Sequence, residues 1–407
     1  MKGFLSNLNF CLLFAGYPLL VTIYSIFLAG TLNLQLLTIP YRLFTLIVSL
    51  LVIYNNWGNP IRGMKQWGWL LAYGCMLSFR MVYDFFFDTD LFIPIGEKIK
   101  PLLFWFCITL PALFAAAKSY KTISFRKVYV GLVAIYAFIG ICNLLFNRGL
   151  FDANFAAASE GRVDGGEGLN TISFSYCGVS LATLAFFLNG YLGDSALMRF
   201  VRLVLMGIGL FIVLKTGSRG PFLVLLMIFI FILYMKMKTD ILMLLVGMLC
   251  FSFLLLFSGD ILDTLGEMFP VLFSRLHESA SDDERRALWN MALDIFEQYP
   301  LFGRYLGLYV NNTVCYSHNA FADAAVLGGL CGVICLSVIY IRFFKDSVFL
   351  YKADKVKFGW IITLFMQGIL SILFSGTIYY MYTVMAGCAF LSLWSDKEES
   401  RCFIDEI

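Results

Sequence analysis

Runs of about 20 apolar residues follow one another along almost the whole chain, and no other feature narrows the choice of fold so far. A helix of that length crosses a hydrocarbon core of roughly 30 Å while bonding its own backbone, which an open strand cannot do. Twelve such runs can be read, at 8–29, 34–54, 66–86, 99–118, 127–147, 169–190, 197–215, 219–236, 239–258, 319–343, 357–375 and 377–395. With 60% hydrophobic and 14% charged residues, the 407-residue chain is far more apolar than a water-soluble domain. Alternating strand patterns are absent, which excludes a β-barrel. The expected fold is an all-α polytopic membrane protein of about 12 transmembrane helices. Lys2 precedes an apolar run from about Asn9 to Ala29 that lacks a small-residue cleavage site and exceeds a signal peptide in length, so a retained first helix is expected.

Charge fixes the sides. Lys2, Arg62, Lys65, Lys118, Lys121, Arg126, Arg199, Lys236, Lys345, Lys357, Lys397 and Arg401 all fall on one side, which the positive-inside rule makes the cytoplasm. Both termini are then cytoplasmic. The expected organisation is residues 1–258 with spans one to nine, 259–318 as a periplasmic loop, and 319–407 with the last three spans and a cytoplasmic tail. Three polar stretches remain outside: 88–98, 148–168 and 259–317. The second is glycine-rich and reads as a connector in which Arg162 is the one residue of interest. Arg42 and Arg80 lie inside spans, where a cation facing lipid costs a few kcal/mol or more, so each must face protein, water or a counter-ion. Asp84, one turn from Arg80, supplies a counter-ion in one reading; a water-filled cavity is the other.

The loop from 259 to 317 is the one long water-compatible segment, so chemistry on soluble groups is expected there. Ser281 and Glu284 have capping-box spacing, and Leu288, Met291, Ala292, Ile295 and Phe296 recur as one apolar helical face that Pro300 ends. Ile261, Leu262, Leu265 and Met268 suggest a shorter helix of the same kind. Such helices lie on the membrane or against the mouth of the bundle, which makes the loop a partly helical lid. Only two histidines occur, His277 and His318, with no paired ligand spacing, so no metal is expected. The eleven cysteines are scattered singly and form no framework. A Walker glycine loop is absent and the cytoplasmic loops are short, which argues against ATP-driven transport. No cofactor and no nucleic-acid partner is expected; the net charge of +3 carries no information on the latter.

His318 stands where the loop re-enters the membrane. A lone histidine at a helix start commonly packs or caps, but an imidazole there can also act as a general base on a hydroxyl. Arg219, in KTGSRGPF, lies at an outer junction broken by Gly217, Gly220 and Pro221. Alone it could bind lipid headgroups. Arg285 is a second outer arginine, in a loop with nine acidic residues against four arginines, a balance opposite to general attraction for anionic lipid. A guanidinium binds phosphate oxygens through its planar fork and stays charged when partly desolvated. Two outer arginines and a histidine therefore suggest a site for a lipid-linked diphosphate beside a hydroxyl.

TGSRG, then RRALWNMALDIF followed by PLFG, then HN and a span with GGLCGV, together resemble the O-antigen polymerase and O-antigen ligase superfamily over roughly 215–332. The resemblance implies a metal-independent glycosyltransferase of the bacterial inner membrane that takes its donor glycan from undecaprenyl diphosphate at the periplasmic face. It further implies that Arg219 and Arg285 hold the diphosphate and His318 deprotonates the acceptor hydroxyl, with inversion of the anomeric centre. Arg286 adjoins Arg285 and can share the role, although the spacing to Trp289 and Pro300 favours Arg285. Asn319 and Asp323 are supporting residues that orient the histidine or satisfy the helix, joined by Arg162 and Arg80. The partners implied are lipid-linked donor and acceptor, membrane lipids, a chain-length regulator and a flippase. TGSRGP is nearer the polymerases, which extend another lipid-linked unit, than the ligases, which transfer to lipid A-core. A transporter or flippase is the competing class, since interior arginines suit a translocation path; against it, no internal repeat is found.

Overall fold

The computed structural model describes residues 2–28, 34–58, 64–87, 95–147, 150–151, 164–165, 169–237, 282–310, 313–374 and 381–405. The chain is an all-α polytopic membrane protein. Among the described residues eight helices are long and apolar enough to cross a membrane. They are Lys2–Phe27 (α1), Leu37–Asn55 within Leu34–Asn55 (α2), Trp67–Phe87 within Met64–Phe87 (α3), Lys98–Ser119 (α4), Phe125–Phe146 (α5), Ala196–Lys215 (α8), Ala320–Ala353 (α11) and Lys355–Phe374 (α12). Thr171–Phe186 (α6) and the Arg219–Met235 part of Arg219–Met237 (α9) are apolar but shorter. Leu188–Leu192 (α7), Asp282–Gln298 (α10) and Tyr382–Asp405 (α13) complete the helices.

Several sequence expectations shift. The first helix starts at Lys2 rather than near residue 8, and the last begins at Tyr382 and runs to Asp405. The run at 239–258 and the short helix suggested near 261–268 lie outside the described residues, as do Arg162, His277 and Ser281. An antiparallel hairpin, Leu308–Val310 (β1) with Thr313–Cys315 (β2), was not foreseen; its register pairs Leu308 with Cys315 and Val310 with Thr313. Three residues per strand are too short to show a period-2 pattern.

Lipid tails are as apolar as leucine, so helices in a bilayer associate through packing and polar bonds rather than through the hydrophobic effect. Aromatic edges serve this purpose near the basic end of the bundle. Phe125 meets Phe358 at 5.4 Å and Trp394 at 5.5 Å between ring centroids, and Phe10 meets Phe390 at 5.1 Å. Lys357 lies over the Trp394 ring at 4.0 Å. Two transmembrane helices also contain a π turn, Leu12–Gly16 in α1 and Trp105–Thr109 in α4. The Tyr41 hydroxyl donates to the Leu12 carbonyl at the first of them (2.9 Å).

The break in α11 governs the end of the bundle at which that helix begins. Gly329 has φ 55° and ψ −143°, so the helix stops and restarts there. Leu330 and Cys331 donate their amides to the carbonyls of Pro300 (2.7 Å) and Leu301 (3.3 Å). The Val326 carbonyl accepts from the Arg304 amide (2.9 Å), and the Leu327 carbonyl accepts from Arg80 Nε (3.3 Å). Four groups beside the break, the Leu330 and Cys331 amides and the Val326 and Leu327 carbonyls, are thus taken up by the turn after α10 or by Arg80. Gly303, at φ 62°, belongs to the same joint. A Cβ on Gly329 would come 2.5 Å from the Pro300 carbonyl oxygen, and one on Gly303 would come 2.6 Å from the Gly328 amide nitrogen. PLFG and GGLCG are therefore two halves of one contact.

Gly329→Ala should lower the thermal stability of the purified protein by about 1–3 kcal/mol, because it combines a left-handed alanine with a backbone clash. Gly207→Ala, on α8 with nothing near its Cβ, should leave the melting temperature unchanged or slightly raised.

Candidate active site

The histidine turn is built from its carboxylate outward. Asp323 is buried, and its Oδ1 accepts from the Ser317 amide (2.9 Å) and hydroxyl (2.7 Å). Ser317, itself buried, returns its oxygen to the Asn319 amide (3.2 Å). Asn319 is the N-cap of α11: its Oδ1 accepts from the amides of Phe321 (2.9 Å) and Ala322 (3.3 Å). Two side chains thus fix the residues on either side of His318.

His318 has φ 60°, and it is the one residue other than glycine with positive φ among those described. A side chain in the left-handed region costs of order 1–3 kcal/mol and persists only where its surroundings impose it. Here the Ser317–Asp323 bonds and the Asn319 cap impose it. The ring is half-buried and meets Tyr316 edge-on at 4.6 Å. Burial first, then the carboxylate of Asp323 and the Cys315 thiol, push the Tyr316 hydroxyl upward, so it stays neutral beside the imidazole.

The arginine-bearing helix is tied to this turn. Trp289 Nε1 donates to the Ser317 carbonyl (2.9 Å). Leu288, Met291, Ala292 and Ile295 of α10 pack on Leu308, Ala322 and Val326, so the amphipathic face covers the head of α11 and the hairpin. Arg285 stands one turn before Trp289 and shares its side of the helix. Arg286 is about 100° further round, away from the packed residues. Both guanidinium-bearing residues are exposed.

Arg80 anchors the assembly from α3. Its Nη1 donates to the Arg304 carbonyl (2.8 Å) and its Nη2 to those of Phe302 (3.2 Å) and Gly303 (3.3 Å), in addition to the Leu327 bond. Asp84 lies 3.8 Å from Nη1 and accepts the Leu306 amide at 2.6 Å. Of the two sequence readings, the pairing with Asp84 holds; four backbone carbonyls take the rest of the guanidinium.

Arg219 belongs to another element. It heads α9 after a turn in which Gly217 has φ 62° and Thr216 and Ser218 are buried, and is itself half-buried. The tail of α9 lies near the ends of α6 and α11, with Phe229 at 6.4 Å from Phe186 and Phe231 at 5.8 Å from Tyr351. Tyr191, just beyond α6, donates to the Lys357 carbonyl at the head of α12 (3.3 Å). The head of α9 therefore points to the opposite end, where α11 begins with His318.

Sequence reasoning missed Ser317 as the link between Asp323 and the turn, Asp84 as a partner of the Leu306 amide, and Gly329 as a break. Trp289 was noticed only for its spacing; a tryptophan beside an apolar face with an N–H to satisfy was the available signal.

The helical membrane bundle thus carries a tethered helix with two exposed arginines beside the turn that holds a strained histidine. Residues 203–337 match the family described as O-antigen ligase, in agreement with the superfamily that the motifs resemble. That stretch indicates an O-antigen ligase or polymerase type of function. It contains Arg219, Arg285, His318 and Gly329 and leaves out Arg80. A search of curated proteins finds no match.

His318→Gly should stabilise the folded protein by about 1 kcal/mol or more, since glycine adopts the left-handed conformation freely, whereas His318→Ala should not. Differential scanning fluorimetry of both variants measures this. Trp289→Phe should speed hydrogen exchange across 313–319 through loss of the indole bond, with little change in α12.

Proposed function

We propose that the protein polymerises lipid-linked glycan repeat units at the outer, periplasmic face of a bacterial inner membrane. The observation that carries this reading is the Trp289–Ser317 bond, which holds the face of α10 bearing Arg285 against the turn that displays His318. Arg219 and Arg285 grip the diphosphate of an undecaprenyl-linked donor and stabilise the charge that grows on it as the glycosidic bond breaks. His318 accepts the proton of the acceptor hydroxyl, whose oxygen attacks the anomeric carbon from the opposite side. The new bond inverts that centre and the lipid diphosphate departs with both electrons. Protein groups supply each of these steps. Asp323 and Asn319 act through the turn, by fixing its backbone. The basic end around Lys352, Lys355 and Lys357 faces the cytoplasm in this arrangement, as do both termini.

A second reading, ligation of the finished glycan to lipid A-core, is favoured by the description of the matched family. The surface lipopolysaccharide of a deletion strain separates the two. Single repeat units on the core mark a lost polymerase, and bare core with accumulated lipid-linked polymer marks a lost ligase.

His318→Ala, Arg219→Ala and Arg285→Ala should each insert in the membrane and yield at least about 100-fold less product from a defined lipid-diphosphate oligosaccharide, and Arg286→Ala much less of a loss. Full-length glycan from the His318→Ala strain would remove the general base from the scheme.

A further inference from the structure

Arg42 is the transmembrane cation that the reaction leaves unused. It lies in α2, about two turns from Leu34, and is exposed. Its neighbours Ile39, Leu43, Phe44 and Ile47 are exposed as well, at 64, 56, 48 and 46%, which makes this a strip that lipid chains touch. The guanidinium sits over the Phe104 ring, 5.1 Å from its centroid, and Phe104 lies 6.4 Å from the Tyr382 ring. Among the described residues no carboxylate pairs with Arg42; the ion pairs are Arg80 with Asp84 and Arg199 with Asp194. Arg80, at a similar remove from the end of its helix, is met by four carbonyls and an acid. Among the described residues Arg42 has the Phe104 ring face and the nearby Tyr382 phenol, which offset only part of the cost of a cation in hydrocarbon.

Direction settles what can meet it. Lys118 binds the Trp57 carbonyl just beyond the tail of α2 (3.0 Å), and Lys357 lies over Phe125, so the tail of α2 shares the Lys357 end of the bundle. Its head then shares the His318 end. Helical side chains lean toward the N-terminus, so Arg42 reaches toward the outer headgroups. The anions at that level are lipid phosphates, whose oxygens a guanidinium fork holds in pairs.

We propose that Arg42 is a seat for the phosphate of a membrane lipid, entered sideways from the outer leaflet, with the Phe104 ring as its floor. The seat stands whether or not the glycan-transfer reading holds. Its chemistry serves a glycerophospholipid and a polyprenyl diphosphate alike, and the test separates them.

The detergent-purified full-length protein is titrated with phosphatidylglycerol, with a polyprenyl diphosphate and with diacylglycerol, and bound lipid is counted by native mass spectrometry. Arg42→Gln should weaken binding of one or both phosphate lipids about tenfold and leave diacylglycerol unchanged. A drop confined to the polyprenyl lipid assigns the seat to that carrier, and a drop for both assigns it to any lipid phosphate. Unaltered binding of both, or an equal drop for diacylglycerol, overturns the proposal. Should Arg42→Gln not purify as a folded protein, Arg42→Lys carries the same comparison, with a smaller drop expected from loss of the fork alone. Gly207→Ala, on α8, should bind as the wild type does; because bound lipid is counted without turnover, failure of the catalytic scheme and failure of the seat read differently.

Discussion

Backbone carbonyls that lose their helix inside a bilayer have to find donors in the protein, and the outer half of this structure is arranged around that demand. Gly329 interrupts α11, and four of the groups beside the break are bonded by the turn at 300–305 and by Arg80. One guanidinium takes carbonyls from both partners of the joint. Its own burial is possible for the same reason, because four oxygens and Asp84 replace the water it left. Charge and broken backbone are each costly in lipid, and together they cancel.

From that joint the site follows in two short steps. The turn carries the chain from α10 into the hairpin, and the hairpin returns it to Ser317, where Asp323 and Asn319 set the backbone of His318. Across the same gap α10 packs its apolar face on α11 and adds the Trp289 bond. The histidine is thus held by residues before and after it in sequence and by one from a separate helix. Its left-handed backbone is the visible cost of that constraint.

Much of this was legible beforehand, and the parts that were not share a cause. Hydropathy gave the transmembrane helices because their length is set by the bilayer. The 3.6-residue period gave α10, and its face of Leu288, Met291, Ala292 and Ile295 packs as expected. Boundaries moved where propensity had no say, as at Lys2 and Asp405. Arg80 was singled out by its cost in lipid and Asp84 was named as its counter-ion, yet its other partners could not be named, because they are main-chain oxygens that no side-chain pattern announces. Gly303 and Gly329 stood in the sequence only as members of PLFG and GGLCGV; the contact between these two segments, distant in sequence, explains both. Ser317 was hidden for the same reason, since its role depends on a carboxylate that folds back over it.

The joint at Gly329 also restricts traffic. Lifting the segment at 300–305 would cost several amides and carbonyls their partners at once, so this turn is a fixed wall and not a door.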